Sequence, residues 1–153
     1  MRTVDALRMR APADRVFEAA SQVERWPDIL RHYRWVRMRE RQEGGGIVEM
    51  AAWRPFGLFK YPTRWVSRME IDPSRRQVRY RHIEGVTRGM DVVWQLEPKG
   101  NETDVRIVHE WTGPEWPVIG RAAANFVIGP VFIHGIASRT LAGIAHFVEN
   151  DHG

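Results

Sequence analysis

Six times between Tyr33 and Thr112 the chain alternates between turn signals with a period of two, and a sequence patterned this way must be organised around an antiparallel sheet. The clearest run is "RWVSRMEID" at residues 64–72. Trp65, Ser67, Met69 and Ile71 fall on one face of an extended strand, and Arg64, Val66, Arg68 and Glu70 on the other. The second face is wet, whereas the first is bulky and apolar with a single hydroxyl. The six runs read "YRWVRMRERQ", "IVEMAAW", "YPTRWVSRMEI", "QVRYRHIE", "MDVVWQLE" and "TDVRIVHEW". Turn residues separate them: Gly44, Gly45 and Gly46 as a hairpin, then Asp72, Pro73 and Ser74, then a loop with Gly85 and Gly89, then Lys99, Gly100 and Asn101.

A seventh strand is expected over residues 2–10, where Val4, Ala6 or Leu7, and Met9 alternate with polar neighbours up to Ala11 and Pro12. Pro12 suits the first turn of a helix, and Val16, Phe17 and Ala20 recur at helical spacing through "ADRVFEAASQ". A second short helix, "VERWPDIL", carries Pro27 beside Trp26. After Gly113 and Pro114 the chain becomes rich in alanine and apolar residues at helical spacing, with Pro130 opening the main helix. Ile133, Ile136 and Ala137, Thr140 and Leu141, Ile144, and Phe147 and Val148 form its apolar face, leaving Ser138, Arg139, His146 and Glu149 to water. Residues 117–129 hold more apolar positions than one helix face can bury. A lid over a cavity mouth, a dimer surface, a membrane-touching patch and burial against the sheet edge are the alternatives. Replacing Phe126 and Val127 by serine would test the lid.

This order of elements points to an α+β fold: a curved seven-stranded antiparallel sheet wrapped around a long C-terminal helix, with two short helices after the first strand. One domain over residues 1–153 is expected. The absence of cysteine removes disulfides and thiolate zinc sites. The start, "MRTVDALRMRAP", holds no apolar run for a signal peptide and no stretch offers eighteen apolar residues for a membrane span, so the cytoplasm is the expected compartment. Net charge is +4. The outer arginines, Arg37, Arg39, Arg41, Arg79, Arg81 and Arg106 among them, are interspersed with Glu40, Glu49, Glu70, Glu97 and Asp104. The rings fall mostly on the other face, unlike a stacking platform for nucleic acid.

Register extends the reading to the interior. With Leu96 opposite Val105 across the Lys99–Asn101 turn, Trp94 meets Ile107, Val92 meets His109 and Met90 meets Trp111. On the preceding strand Val78, Tyr80, His82 and Glu84 share a face. The pooled inward set is Trp26, Tyr33, Met38, Met50, Trp65, Ser67, Met69, Tyr80, His82, Met90, Trp94, His109 and Trp111, closed by Phe132, Ile136 and Thr140 of the helix. Seven tryptophans in 153 residues tilt the composition towards wide rings, which line apolar cavities well. Such a wall suits a hydrophobic, partly oxygenated molecule; the alternative is an ordinary core whose polar atoms satisfy each other or buried water. His109 and His82 are the acid/base candidates, with Tyr33 and Ser67 as hydrogen-bond donors. Two strand spacings leave the imidazoles about 10 Å apart, and no close ligand spacing accompanies them, so neither a metal nor a cofactor is expected.

The chain resembles the polyketide cyclase/dehydrase family of the START-like, helix-grip (birch-pollen-allergen-like) superfamily. The resemblance rests on "APADRVFEAASQVERWPDILRHY" (11–33), "RWVSRMEIDPSRRQVRYRH" (64–82) and "MDVVWQLEP" (90–98). It implies cavity rings at Trp26, Trp65 and Trp94, a cavity tyrosine at Tyr33 and a hydroxyl at Ser67. The arginine that aromatase/cyclases of this family use to polarise a polyketide falls on Met69, with arginine only at Arg68 on the opposite strand face. Methionine can pack against a ligand but cannot stabilise an enolate. Two functions follow as expectations: a protein enclosing an aromatic or isoprenoid small molecule with cyclase/dehydrase activity, or a non-catalytic lipid or quinone carrier. The partners expected are the hydrophobic ligand itself, a peripheral membrane contact, and a second copy if the chain is a homodimer rather than a monomer.

Overall fold

The computed structural model describes residues 1–56, 58–85, 87–112 and 130–150. Strand β1 (Arg2–Met9) leads into α1 (Ala13–Ser21), a 3-10 turn (Val23–Arg25) and α2 (Trp26–Ile29). Strands β2 (Tyr33–Gln42), β3 (Gly45–Phe56), β4 (Phe59–Asp72), β5 (Gln77–Glu84), β6 (Asp91–Lys99) and β7 (Glu102–Glu110) follow, and α3 (Pro130–Asn150) ends the described chain. All seven strands form one antiparallel sheet in the order β1-β7-β6-β5-β4-β3-β2. Each sequence neighbour from β2 to β7 is therefore a hairpin partner, and β1 closes onto the last strand.

Pro12 has the extended geometry of a helix N-cap (φ −63°, ψ 150°), and its carbonyl accepts from Arg15 and Val16. Pro27 fits the first turn of α2, where its missing N–H leaves no bond unmade. The β2–β3 turn needs its glycines: a Cβ on Gly46, at φ 138°, would sit 2.0 Å from the Glu40 carbonyl oxygen. α3 lies against β1, β3, β7 and both short helices. It buries Ile133, Ala137, Thr140, Leu141, Ile144 and Val148 into a core shared with Val16, Trp26, Leu30, Met50, Trp94 and Ile107.

Two expectations about facing are corrected. In β1 the inward face is that of Asp5, Leu7 and Met9, with Asp5 and Met9 buried and Leu7 left 38% exposed at the sheet edge, while Val4 faces outward. The pairing sets this: Asp5 lies opposite Ile107 and Met9 opposite Thr103, and paired residues share a face. Glu84 does not share the inward face of Val78, Tyr80 and His82. A register shift between Val66 and Ser67 sets His82 opposite Ser67 but Glu84 opposite Val66, which reverses the alternation. Glu84 therefore pairs outside with Arg39 at 2.9 Å, beside the bonds from Arg39 and Arg64 to Glu49. The register read across β6 and β7 is observed, with Leu96 opposite Val105, Trp94 opposite Ile107 and Val92 opposite His109.

Residues 117–129, including Phe126 and Val127, lie outside the described residues, as does the Phe132 side chain. No described helix is long and apolar enough to cross a membrane.

Candidate functional site

Between the concave face of the sheet and α3 lies a cavity of about 90 Å³. Its floor is aromatic. Trp26 stands edge-on to Tyr33 at 5.2 Å and tilted against Trp94 at 5.7 Å, and its indole N–H donates to the Ala19 carbonyl at 3.0 Å. That bond anchors α2 to the end of α1 and satisfies the only polar atom of a nearly inaccessible ring. Trp65, half-buried, stands edge-on to Tyr33 at 6.1 Å and stacks flat on His82 at 5.9 Å. Met50, Met90, Val92, Ile107, Ile133 and Ala137 fill the apolar remainder of the wall.

The polar groups are few. His82 Nδ1 and Thr87 Oγ1 are hydrogen-bonded at 2.6 Å, which fixes the ring by way of the β5–β6 loop. Thr140 Oγ1 donates to the Ile136 carbonyl at 2.8 Å and meets His32 Nε2 at 2.9 Å on the side away from the cavity. Tyr80 Oη and His109 Nδ1 are buried without a hydrogen-bond partner among the described residues, as is Ser67 Oγ.

Burial governs the titration of these groups. It pushes the His109 imidazole down to about 4, against the opposing pull of the nearby Asp5 carboxylate. Burial also takes His82 down to about 3, with the charge of His109 adding to it. His32 falls to about 4 through burial and then the charge of Arg139. Tyr33 and Tyr80 are raised by burial, Tyr33 less so because of neighbouring Thr140. At neutral pH the wall thus presents uncharged imidazoles and phenols. The sign for stability follows: the unfolded chain binds protons near pH 6.5 that the folded chain refuses until about pH 4. Stability is therefore complete above pH 6.5 and falls as pH drops towards 4. For His82 and His109 the slope is at most about 1.4 kcal/mol per pH unit each. Thermal midpoints measured between pH 7.5 and 4.5 should fall steadily, and His82→Gln with His109→Gln should flatten the curve. A flat wild-type profile would contradict the burial of these rings.

The structure brings together most, but not all, of the residues expected from the alternation. Trp26, Tyr33, Met50, Trp65, Tyr80, His82, Met90, Trp94, His109, Ile136 and Thr140 line the cavity. Met38, Ser67, Met69 and Trp111 do not. Met69 and Ser67 are buried in the sheet's inner layer, Met38 packs half-buried against the core edge, and the Trp111 indole N–H donates to the Arg88 carbonyl at 3.1 Å. Thr63, Arg64 and Thr87 also line the cavity; parity puts Thr63 on the face of Trp65, although it is absent from the inward set, whereas the alternation does not anticipate Arg64 or Thr87. Thr87 sits in a loop with no periodicity to report it, and Arg64 lies on the face of β4 opposite to Trp65. Asp5 is a further buried polar group, hydrogen-bonded through Oδ1 to His134 of α3.

Comparison with known proteins adds sequence and fold. A family model described as polyketide cyclase / dehydrase and lipid transport matches residues 9–131. The actinorhodin polyketide synthase bifunctional cyclase/dehydratase of Streptomyces coelicolor is 31% identical over 113 residues, covering 72% of this chain and 34% of that protein. The chain thus spans about a third of the length of that curated relative. The crystal structure of TTHA0849 from Thermus thermophilus superposes with a TM-score of 0.81 at 18% identity, covering 97% of each chain. The Zhui aromatase/cyclase from Streptomyces sp. R1128 superposes with a TM-score of 0.79 at 20% identity, covering 100% of this chain and 98% of the other. At these identities the likeness is one of fold, and it agrees with the helix-grip expectation.

Proposed function

The chain belongs to the polyketide cyclase / dehydrase and lipid transport family, and from that premise we propose that its cavity encloses a hydrophobic, aromatic or isoprenoid small molecule that carries oxygen. One observation carries this reading: Tyr80 Oη and His109 Nδ1 are buried, unpartnered among the described residues and on the wall of an otherwise apolar cavity. An unsatisfied buried polar group costs about 1–3 kcal/mol. A ligand hydroxyl or carbonyl at that position removes the penalty, and the surrounding rings supply the apolar contact. At about 90 Å³ the space is smaller than the ~150 Å³ cavity that holds one benzene ring, so a larger ligand requires wall side chains to shift. Trp65, half-buried where Thr63 and Arg64 also meet the cavity, is the side chain best placed to do so.

Any cyclisation or dehydration of a polyketide in this cavity works by confinement and hydrogen bonding, with Tyr33 and Tyr80 as neutral donors and His109 or His82 as acid/base. The second reading, a non-catalytic lipid or quinone carrier, is favoured by a specific feature. Imidazoles held near 3 and 4 are weak bases at neutral pH, and no carboxylate lines the cavity among the described residues. His109→Ala and His82→Ala separate the two: the enzyme loses turnover while keeping affinity, and the carrier changes affinity alone.

The binding proposal is tested with Tyr80→Phe. The variant should be as stable as the wild type or more so, because it removes an unpartnered hydroxyl. It should bind a hydroxylated anthraquinone roughly 5- to 10-fold more weakly, read by tryptophan quenching, and bind unsubstituted anthracene equally well. Equal loss for both ligands, or for neither, would show that the hydroxyl does not face the ligand.

A further inference from the structure

The tip of the β3–β4 hairpin presents two large apolar side chains to solvent, Leu58 at 100% and Phe59 at 77% exposure. Among the described residues no other large apolar side chain exceeds 43%. Isolated exposed apolar groups need no explanation, but two adjacent ones projecting from a turn make a point of contact. The next residue, Lys60, forms part of an open groove of about 630 Å³ that runs between this hairpin, the end of α2 and the outer side of α3. Arg31, Lys60, Arg139 and His146 line that groove together with Trp53, and no carboxylate lines it among the described residues. Lys60 and Arg34 both stack on the Trp53 ring, at 4.6 and 4.9 Å, which holds their charges at the hairpin's root. Among the described residues neither Arg31 nor Arg139 meets an acidic partner, unlike Arg2, Arg8, Arg39, Arg41, Arg76 and Arg81 elsewhere on the surface.

Like charges gathered in one concave surface repel each other unless an anion neutralises them. Fully exposed apolar side chains at the adjacent tip call for an apolar medium. A bilayer containing anionic phospholipid satisfies both at once: headgroup phosphates meet the cations and the acyl boundary takes the tip. We propose that this face docks on an anionic phospholipid surface, with Leu58 and Phe59 entering the interface and Arg31, Lys60 and Arg139 contacting phosphate. A soluble acidic protein would account for the groove but leaves Leu58 and Phe59 unexplained. Docking here sets the bilayer beside the ligand site, because β4 carries both Lys60 of the groove and Thr63 of the cavity, and α3 carries both Arg139 and Thr140. The inference does not depend on what the cavity holds.

The test is co-sedimentation of the full chain with vesicles of phosphatidylcholine alone and of phosphatidylcholine with about a quarter phosphatidylglycerol, at low and high salt. Binding should appear with the anionic vesicles, be weak with the neutral ones, and fall as salt rises. Leu58→Ser with Phe59→Ser, and separately Arg31→Glu with Arg139→Glu, should each lower partitioning at least roughly tenfold with the thermal midpoint unchanged, since these side chains lie at the surface. Loss in the charge-reversal variant alone would overturn the proposal in favour of a soluble anionic partner. Equal binding to both kinds of vesicle, or to neither, would overturn it outright.

Discussion

Trp26→Ala should lower the unfolding free energy by about 3–5 kcal/mol, the range for removing a large aromatic ring from a packed core. For a chain of this size that is a fall of roughly 10 °C or more in thermal midpoint. The reasoning is local. Trp26 is 2% exposed, touches Tyr33 and Trp94, and holds α2 to α1 through its bond to Ala19. Deleting the ring therefore removes apolar burial, two aromatic contacts and a buried hydrogen bond together. It also widens the ligand cavity, so a small hydrophobic additive should restore part of the lost stability. Trp65→Ala gives the contrasting case: its ring is only half-buried, so the stability loss is smaller and the effect on ligand affinity larger. A loss below about 1 kcal/mol in Trp26→Ala, measured by denaturant unfolding, would show that the ring is not packed as described.

Met69→Arg should be nearly as damaging and should create no polarising group. The family resemblance leads one to expect a polarising arginine at this position, so introducing one is the obvious engineering step. The structure argues otherwise. Met69 is 4% exposed, lies between Gly46 and Tyr80 in the sheet and does not line the cavity. No carboxylate lines the neighbouring cavity among the described residues, so the guanidinium would be a buried charge without a partner. About 3–5 kcal/mol is the expected loss. Met69→Leu, conserving volume, should cost less than about 1.5 kcal/mol. An arginine variant with wild-type stability would mean that the side chain reaches the cavity or water, and would reopen charge stabilisation as part of the chemistry.

Met69 also marks how far the alternation can be read. Parity along a strand assigns a face, which is why Trp65, Tyr80, Trp94 and His109 can be placed inward with their partners. It says nothing about depth along the sheet. Ser67 and Met69 share Trp65's face yet lie off the cavity, in the layer of core beyond it. Parity also fails wherever a strand carries an extra residue. The irregularity at Val66 and Ser67 turns Glu84 outward to Arg39, and only the pairing reveals it. In β1 the apolar residue Val4 suggests an inner face that register gives instead to Asp5, Leu7 and Met9, because their β7 partners Ile107, Val105 and Thr103 are buried. Thr87 escapes for a different reason: it reaches His82 from a loop, where no periodicity exists to read.

The central claim is that this wall of rings and two unpartnered polar atoms holds an oxygenated hydrophobic molecule. Native mass spectrometry on the protein purified from its own host, with extraction and identification of what it retains, tests that most directly. One bound species per chain is expected, hydrophobic and carrying hydroxyl or carbonyl oxygen. An oxygenated polycyclic compound would favour the cyclase reading, and a quinone, isoprenoid or fatty acyl population the carrier. A protein that arrives empty and takes up no hydroxylated aromatic on titration would contradict the claim and make the interior a core.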